Sequence, residues 1–324
     1  MTVAILLERA GDPDELRLAG VDLPSPGAGE IRLRQTAVGV NYHDVYVRSG
    51  LYQTLPLPGV PGIEAVGVVT GTGPGVEHVK AGDRIGYVSG NYGAYAAERN
   101  LPAALAIKLP DMLDDVPAAA SLMKALTVCM LVRHVHQVRA GEAVLVHAAA
   151  GGVGQLLCSW AANLGATVIG TVGSSAKAGI ARAAGAAHTI LYREEDVAAR
   201  VAEITGGEGV AAAYDSVGAD TFLASMNALG FCGQLVNFGQ SSGPVAPFSP
   251  ALLAARSLSV SRPIIFHYLR TPDRLRALAD ETLDAFERGV IRPVEPLTFP
   301  LAEAAQAHRV LEARQSPGGI VLIP

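Results

Sequence analysis

The hydrophobic pattern changes period twice between Glu142 and Tyr192. Val144 to Val146 is a short apolar run of the kind that forms a buried strand. A turn of small residues follows, His147-Ala-Ala-Ala-Gly-Gly-Val-Gly154. Helical spacing then begins: Val153, Leu156, Leu157, Trp160, Ala161 and Leu164 fall at i, i+3, i+4, i+7, i+8 and i+11, one buried face of a helix. Thr167 to Val172 reads as a second strand. Further strands are predicted before Tyr192, ending near Tyr214-Asp215, ending at Val236-Asn-Phe-Gly239, and over Ser257 to Ser261, with Ala-rich helices between them. Strands alternating with helices predict an α/β domain with a parallel, doubly wound sheet over residues 126–261.

The flanks have a different rhythm. From the start to about residue 120 the chain is β-rich: Val3 to Leu7, Glu30 to Val40 and Glu64 to Gly71 read as strands joined by Pro- and Gly-rich connections, and Gly82-Asp83 supplies turn chemistry. Met112 to His136 has helical spacing, with acids at its front and His134 and His136 at its back, as the helix dipole favours. After Arg262 come one or two helices and an apolar tail, Gly319-Ile-Val-Leu-Ile-Pro324, predicted to be a strand returning to the first domain.

Composition bounds the function classes. A chain of 324 residues favours two domains, and 50% apolar with 17% charged residues describes a well-buried protein. A net charge of −5 without a basic cluster gives no footprint for nucleic acid. Five consecutive apolar residues near the start are too few for a signal-peptide core, and no apolar run approaches the roughly 18 of a membrane span. Cys129, Cys158 and Cys232 show no metal or redox spacing and are expected to be buried free thiols in a reducing cytoplasm.

The small-residue turn carries the first chemistry. Strand, glycine turn and helix form the context of a dinucleotide fingerprint, which aims helix N-terminal N–H groups at a pyrophosphate. Ala149 occupies the first glycine position, and Gly151, Gly152, Val153 and Gly154 complete the turn. An enzyme that binds NAD needs an acid at the end of the second strand for the ribose 2′-hydroxyl. Here stand Gly173, Ser174 and Ser175, then Lys177. Hydroxyls and a lysine attract the 2′-phosphate of NADPH, which is therefore the expected cofactor. Ligands of such sheets lie beyond the carboxyl ends of the strands, so Ser216, Val217, Phe238, Gly239 and Ser241 are candidates for the nicotinamide end.

The whole chain resembles the medium-chain dehydrogenases/reductases, and within them the zinc-independent quinone oxidoreductases related to zeta-crystallin. The resemblance rests on Val40-Asn-Tyr-His-Asp-Val-Tyr-Val-Arg-Ser-Gly-Leu-Tyr52, Pro61-Gly-Ile-Glu-Ala-Val-Gly67, Ala81-Gly-Asp-Arg84, His147 to Gly154, Tyr192-Arg-Glu-Glu-Asp196, Asp215-Ser-Val-Gly218 and Ala307-His-Arg-Val-Leu-Glu312. It implies a GroES-like β-rich catalytic domain from residues 1–125 and 262–324, a Rossmann domain over 126–261, and an active site in the cleft. It also implies a homodimer joined near Leu258 to Ser261. Where the zinc branch carries Cys and Gly-His-Glu, this chain has Asn41 and Gly62-Ile63-Glu64, and the four-cysteine structural lobe is missing, so a metal-free enzyme is expected.

What the resemblance implies for chemistry is hydride transfer from NADPH to a quinone, or to the activated C=C bond of an enone or halogenated acrylate. A non-enzymatic NADPH-binding or RNA-associated role is the third class, and the acidic balance counts against its RNA form. By the same resemblance Asn41 contacts the nicotinamide ribose or the acceptor oxygen, Tyr46 and Tyr52 hydrogen-bond that oxygen, Lys124 and Thr127 reach the cofactor, and Tyr192 belongs to the cofactor site. Arg262 to Arg270, with Tyr52, is expected at the mouth of the acceptor site. Asp44, ionised at its ordinary pKa, is expected to make a structural hydrogen bond, and His43 to sit at the surface.

Overall fold

The computed structural model describes residues 1–293, 295–316 and 318–324. The chain divides into two compact units. One comprises Met1–Lys124, Leu269–Glu287 and Pro293–Pro324, and the other Ala125–Tyr268 and Arg288–Arg292.

In the second unit, among the described residues, six parallel strands line up in the order His188–Leu191, Thr167–Val172, Ala143–Val146, Val210–Asp215, Leu229–Asn237 and Ser259–Ser261. The chain starts in the middle of this sheet, runs to one edge, and returns to build the other half. The order therefore reverses between Ala143–Val146 and Val210–Asp215, the switch point where open α/β sheets bind ligands. The helix Gly152–Asn163 buries Leu156, Leu157, Trp160 and Ala161, four of the six positions expected on its inner face. Residues 262–268 belong to this unit, because Ser259–Ser261 leads directly into the short helix Ile265–Tyr268 and Arg262 donates to the Asn237 carbonyl at 2.9 Å.

In the first unit the long strand Glu30–Val40 is central. It pairs with Glu64–Thr72, with Glu98–Pro102 and, at its far end, with the C-terminal strand Gly319–Ile323, where Ile320 faces Val40. The apolar tail does return to the first unit, as its pattern requires. Ile5, Leu33, Val38, Ile85, Tyr95 and Leu322 are among the residues that form one buried cluster inside.

The helix expected from Met112 starts at Asp115 and runs to Cys129, then continues as a π-helical turn over Met130–Val135 that leaves His136 outside. Its 21 residues from Asp115 to Val135 are long and apolar enough to cross a membrane, yet 72% of that window is buried in protein. Ala118, Ala119, Ala120, Leu122, Ala125 and Leu126 are nearly all at zero exposure, so the helix is apolar because most of its surface is packed against protein. Cys129 and Cys158 are buried as expected. Cys232 is not: it lies exposed in the strand Leu229–Asn237 with a φ of 60°.

Candidate active site

The dinucleotide-type turn is built by close backbone approach. Ala148 adopts a φ of 52°, and Gly151 donates back to the Ala148 carbonyl at 2.8 Å. A Cβ on Gly154 would stand 2.2 Å from that carbonyl oxygen, so only glycine lets the helix start so near the strand end. Ala149 at the first fingerprint position is accommodated from the neighbouring strand. Its methyl lies where a Cβ on Gly170 would come within 2.7 Å, and Gly170 leaves that space open. The helix that follows presents its N-terminus to the turn, an arrangement suited to a phosphate.

Beneath the turn lies a buried polar network that sequence reasoning missed. Ser225 Oγ donates to Asp215 Oδ2 at 2.9 Å and so accepts from His147 Nε2, also at 2.9 Å. That leaves His147 Nδ1 to accept from Thr171 Oγ1 at 3.0 Å. Burial pushes the His147 pKa down, and the nearby Asp215 opposes this. Asp215 also accepts from the Val217 and Gly218 N–H groups and from Thr221 Oγ1. The chain Asp215–Ser225–His147–Thr171 thus links three strand ends beside the switch point. His147 and Asp215 both stand in recognisable motifs, but Ser225 lies on a helix ten residues further on and carries no signal by itself.

Two further candidate groups assemble in this unit. The turns after Asp215 and Asn237 are stitched together: Phe238 N–H donates to the Asp215 carbonyl at 2.9 Å and Ser241 N–H to the Ser216 carbonyl at 3.3 Å. This brings Ser216, Val217, Phe238, Gly239 and Ser241 side by side. At the end of Thr167–Val172, Ser174 caps the helix Ser175–Ala183 by accepting from Lys177 N–H at 3.4 Å. A Cβ on Gly173 would come within 3.0 Å of the Tyr192 hydroxyl, so Gly173, Ser174, Lys177 and Tyr192 share one corner. Thr127 is half-buried in the long helix.

In the first unit, Asn41 is the N-cap of the helix Tyr42–Arg48 and is 8% exposed. Its Nδ2 donates to Glu64 Oε1 at 2.7 Å, and its Oδ1 accepts from Lys124 Nζ at 3.4 Å. The other Glu64 oxygen accepts from the Met123 N–H at 2.8 Å, and Lys124 Nζ stands 4.0 Å from Oε1. A Cβ on Gly39 would meet the Ala119 carbonyl at 2.3 Å and Glu64 Oε1 at 2.4 Å, so this glycine makes room for the cluster. Desolvation raises the Glu64 pKa and lowers that of Lys124, each countered by the other's charge.

Next to it, Asp44 is wholly buried. It accepts from the Asn41 N–H at 2.8 Å and from the Tyr95 hydroxyl at 3.2 Å, and that hydroxyl also bonds His308 Nε2 at 2.9 Å. The structural hydrogen bond expected of Asp44 is present, but its ordinary ionisation is not. Burial raises its pKa to about 7, more than the two hydrogen bonds lower it. Arg48 grips Glu312 through two bonds, of 2.8 and 3.0 Å, and fastens this helix to Ala304–Glu312. The motifs around Asp44 and His308 are therefore two halves of one buried lock.

The tyrosines cluster on the outer side of the same helix. Tyr46 and Tyr52 lie 5.0 Å apart between ring centroids. His43 is not a surface residue: it is half-buried, stacked on Tyr92 at 5.9 Å and edge-on to Tyr52 at 5.6 Å, and burial lowers its pKa to about 4. Tyr92 was not foreseen, because it sits in a Gly-rich loop with no periodicity.

A catalytic zinc does not suit this donor set. The amide of Asn41 is committed to Glu64 and Lys124, Ile63 is an alkyl group at zero exposure, and both Glu64 oxygens are already hydrogen-bonded. A dinucleotide does suit the second unit, whose turn is made of small residues over Ala148 to Gly152 and is backed by a helix N-terminus.

Fold and site together define an alcohol-dehydrogenase-like, nucleotide-dependent oxidoreductase. Residues 27–111 match the alcohol dehydrogenase GroES-like domain, and 152–282 match the family described as zinc-binding dehydrogenase. The chain is 44% identical to a quinone oxidoreductase of Pseudomonas aeruginosa, over 97% of each protein. It is 41% identical to a 2-haloacrylate reductase of Burkholderia, over 100% of this chain and 99% of that one. The crystal structure of Escherichia coli quinone oxidoreductase complexed with NADPH superposes with a TM-score of 0.96 at 41% identity, covering 99% of this chain and 100% of that one. The protein belongs to the quinone oxidoreductase family of the medium-chain dehydrogenases/reductases.

Proposed function

We propose that the protein is a metal-independent reductase that moves a hydride from NADPH to a quinone, working as a cytoplasmic homodimer. The cofactor preference is carried by the corner where Gly173, Ser174 and the Lys177 backbone meet the Tyr192 hydroxyl, and by a strand end whose sequence runs Gly173-Ser-Ser-Ala-Lys177 where an NAD site carries an acid. The relative from Escherichia coli that binds NADPH supports the same reading. The edge position of Ser259–Ser261 in its sheet supports pairing with a second copy there. Free cysteines fit a reducing compartment.

Bound NADPH supplies two electrons as a hydride. In this reading Gly151, Gly152, Val153 and Gly154 hold the pyrophosphate, while Gly173, Ser174, Lys177 and Tyr192 hold the 2′-phosphate. Thr127, Ser216, Phe238, Gly239 and Ser241 line the nicotinamide half. Asn41, locked by Glu64 and Lys124, orients the ribose or the acceptor. Tyr46 and Tyr52 donate hydrogen bonds to the acceptor oxygen as negative charge develops on it. A proton from solvent completes the hydroquinone.

The 41% identity to a haloacrylate reductase favours a second reading, reduction of an activated C=C bond. NADPH and NADH oxidation against quinones, haloacrylates and enones separates the two, and NAD(P)+ reduction by primary alcohols, with and without a chelator, tests for metal-assisted chemistry. Chelator-sensitive alcohol oxidation overturns the metal-free reading.

A further inference from the structure

The first unit contains a groove of about 370 Å³ lined by Thr54, Leu55, Pro56, Val60, Asn91 and Tyr92, among others. Its volume lies near the lower end for small-molecule sites and suits a single or fused ring. Apolar Leu55, Pro56 and Val60 contribute the greasy wall. The polar wall is Tyr92, whose hydroxyl bonds both Thr54 Oγ1 and His43 Nε2, the latter at 3.0 Å. Through His43, stacked on Tyr92 and edge-on to Tyr52, this wall continues by ring contact into the Tyr52–Tyr46 pair.

Each hydroxyl brings one donor and two acceptor positions. If the His43 Nε2–H donates to Tyr92, the Tyr92 proton goes to Thr54, and the proton of exposed Thr54 points outward to the groove. The reverse direction places the Tyr92 proton on His43 and the Thr54 proton on Tyr92, leaving oxygen lone pairs toward the groove. The pair can therefore adapt, and in its first setting it offers a donor to a carbonyl oxygen.

We propose that this groove is a specificity subsite for the second carbonyl of a cyclic dione, which the Thr54 hydroxyl holds by donating to it while Tyr92, bonded to Thr54 and His43, orients that hydroxyl. An acceptor with a single carbonyl has nothing to place there. The inference rests on the acceptor-reductase reading and adds to it a reason for preferring quinones over simple activated alkenes.

The test compares Tyr92→Phe and Thr54→Val with the unaltered protein, using naphthoquinone as the two-carbonyl acceptor and cyclohexenone as the one-carbonyl acceptor. Loss of one hydrogen bond predicts about a tenfold fall in kcat/KM for naphthoquinone, carried by KM, with cyclohexenone unchanged. Calorimetric titration of each protein with naphthoquinone, in the presence of NADP+, reads the subsite without turnover and predicts the same weakening. Equal losses for both acceptors, or naphthoquinone binding unchanged in both variants, overturns the subsite. If the unaltered protein turns over neither acceptor, the reductase reading fails, and the titration still decides the groove.

Discussion

Asn41 donates its Nδ2 to Glu64 at 2.7 Å, and both side chains are almost wholly enclosed. A neutral amide here bridges two buried charges that lie 4.0 Å apart, since Lys124 reaches its other end. Asn41→Ala leaves the Glu64 oxygen and the lysine each one partner short. A loss of about 1–3 kcal/mol is expected in urea denaturation. Asn41→Asp sets a second carboxylate beside Glu64 and is expected to destabilise more, increasingly so as pH rises.

Asp44 gives the fold a pH dependence. Its pKa rises from 3.8 to about 7 on burial, so the folded protein holds this proton more tightly than the unfolded chain does. The stabilisation is full below the unfolded value and is lost as pH rises through about 7, at up to about 1.4 kcal/mol per pH unit. Asp44→Asn keeps an acceptor for the Asn41 N–H and is expected to flatten that limb in stability measured between neutral and acid pH.

His308 and His43 act on the acid side. Their pKa values fall to about 3 and about 4, so both are neutral in the fold, and stability is present above 6.5 and lost as pH falls through the folded values. Replacing His308 with Gln is expected to shift acid unfolding, followed by circular dichroism, to lower pH.

Lys177→Ala is expected to weaken NADPH by about 1.5–3 kcal/mol and to leave NADH nearly unchanged, as for loss of one charge-assisted contact. Equilibrium titration with both cofactors checks it. Equal losses remove the 2′-phosphate assignment.

Gly170 and Ala149 form a size-compensated pair. Gly170→Ala brings two methyl carbons to 2.7 Å and is expected to cost about 1–3 kcal/mol. Adding Ala149→Gly should restore most of that, and a double-mutant cycle in thermal unfolding measures the coupling.

The amino-acid sequence by itself determined the alternation of strands and helices after Ala143, the fingerprint turn and the missing acid beside Lys177. Those are local features, written in spacing of a few residues and in the backbone freedom of glycine. Its motifs also carried the family. Only the tertiary structure decided what the motifs do for one another. Asp44 and His308 meet through Tyr95, and Arg48 meets Glu312 across 264 residues of chain. Periodicity cannot report a contact of that range. Nor can it foresee that enclosure lifts one Asp to about 7 and holds His43 neutral against Tyr92, because desolvation depends on everything packed around a group rather than on its neighbours in the chain.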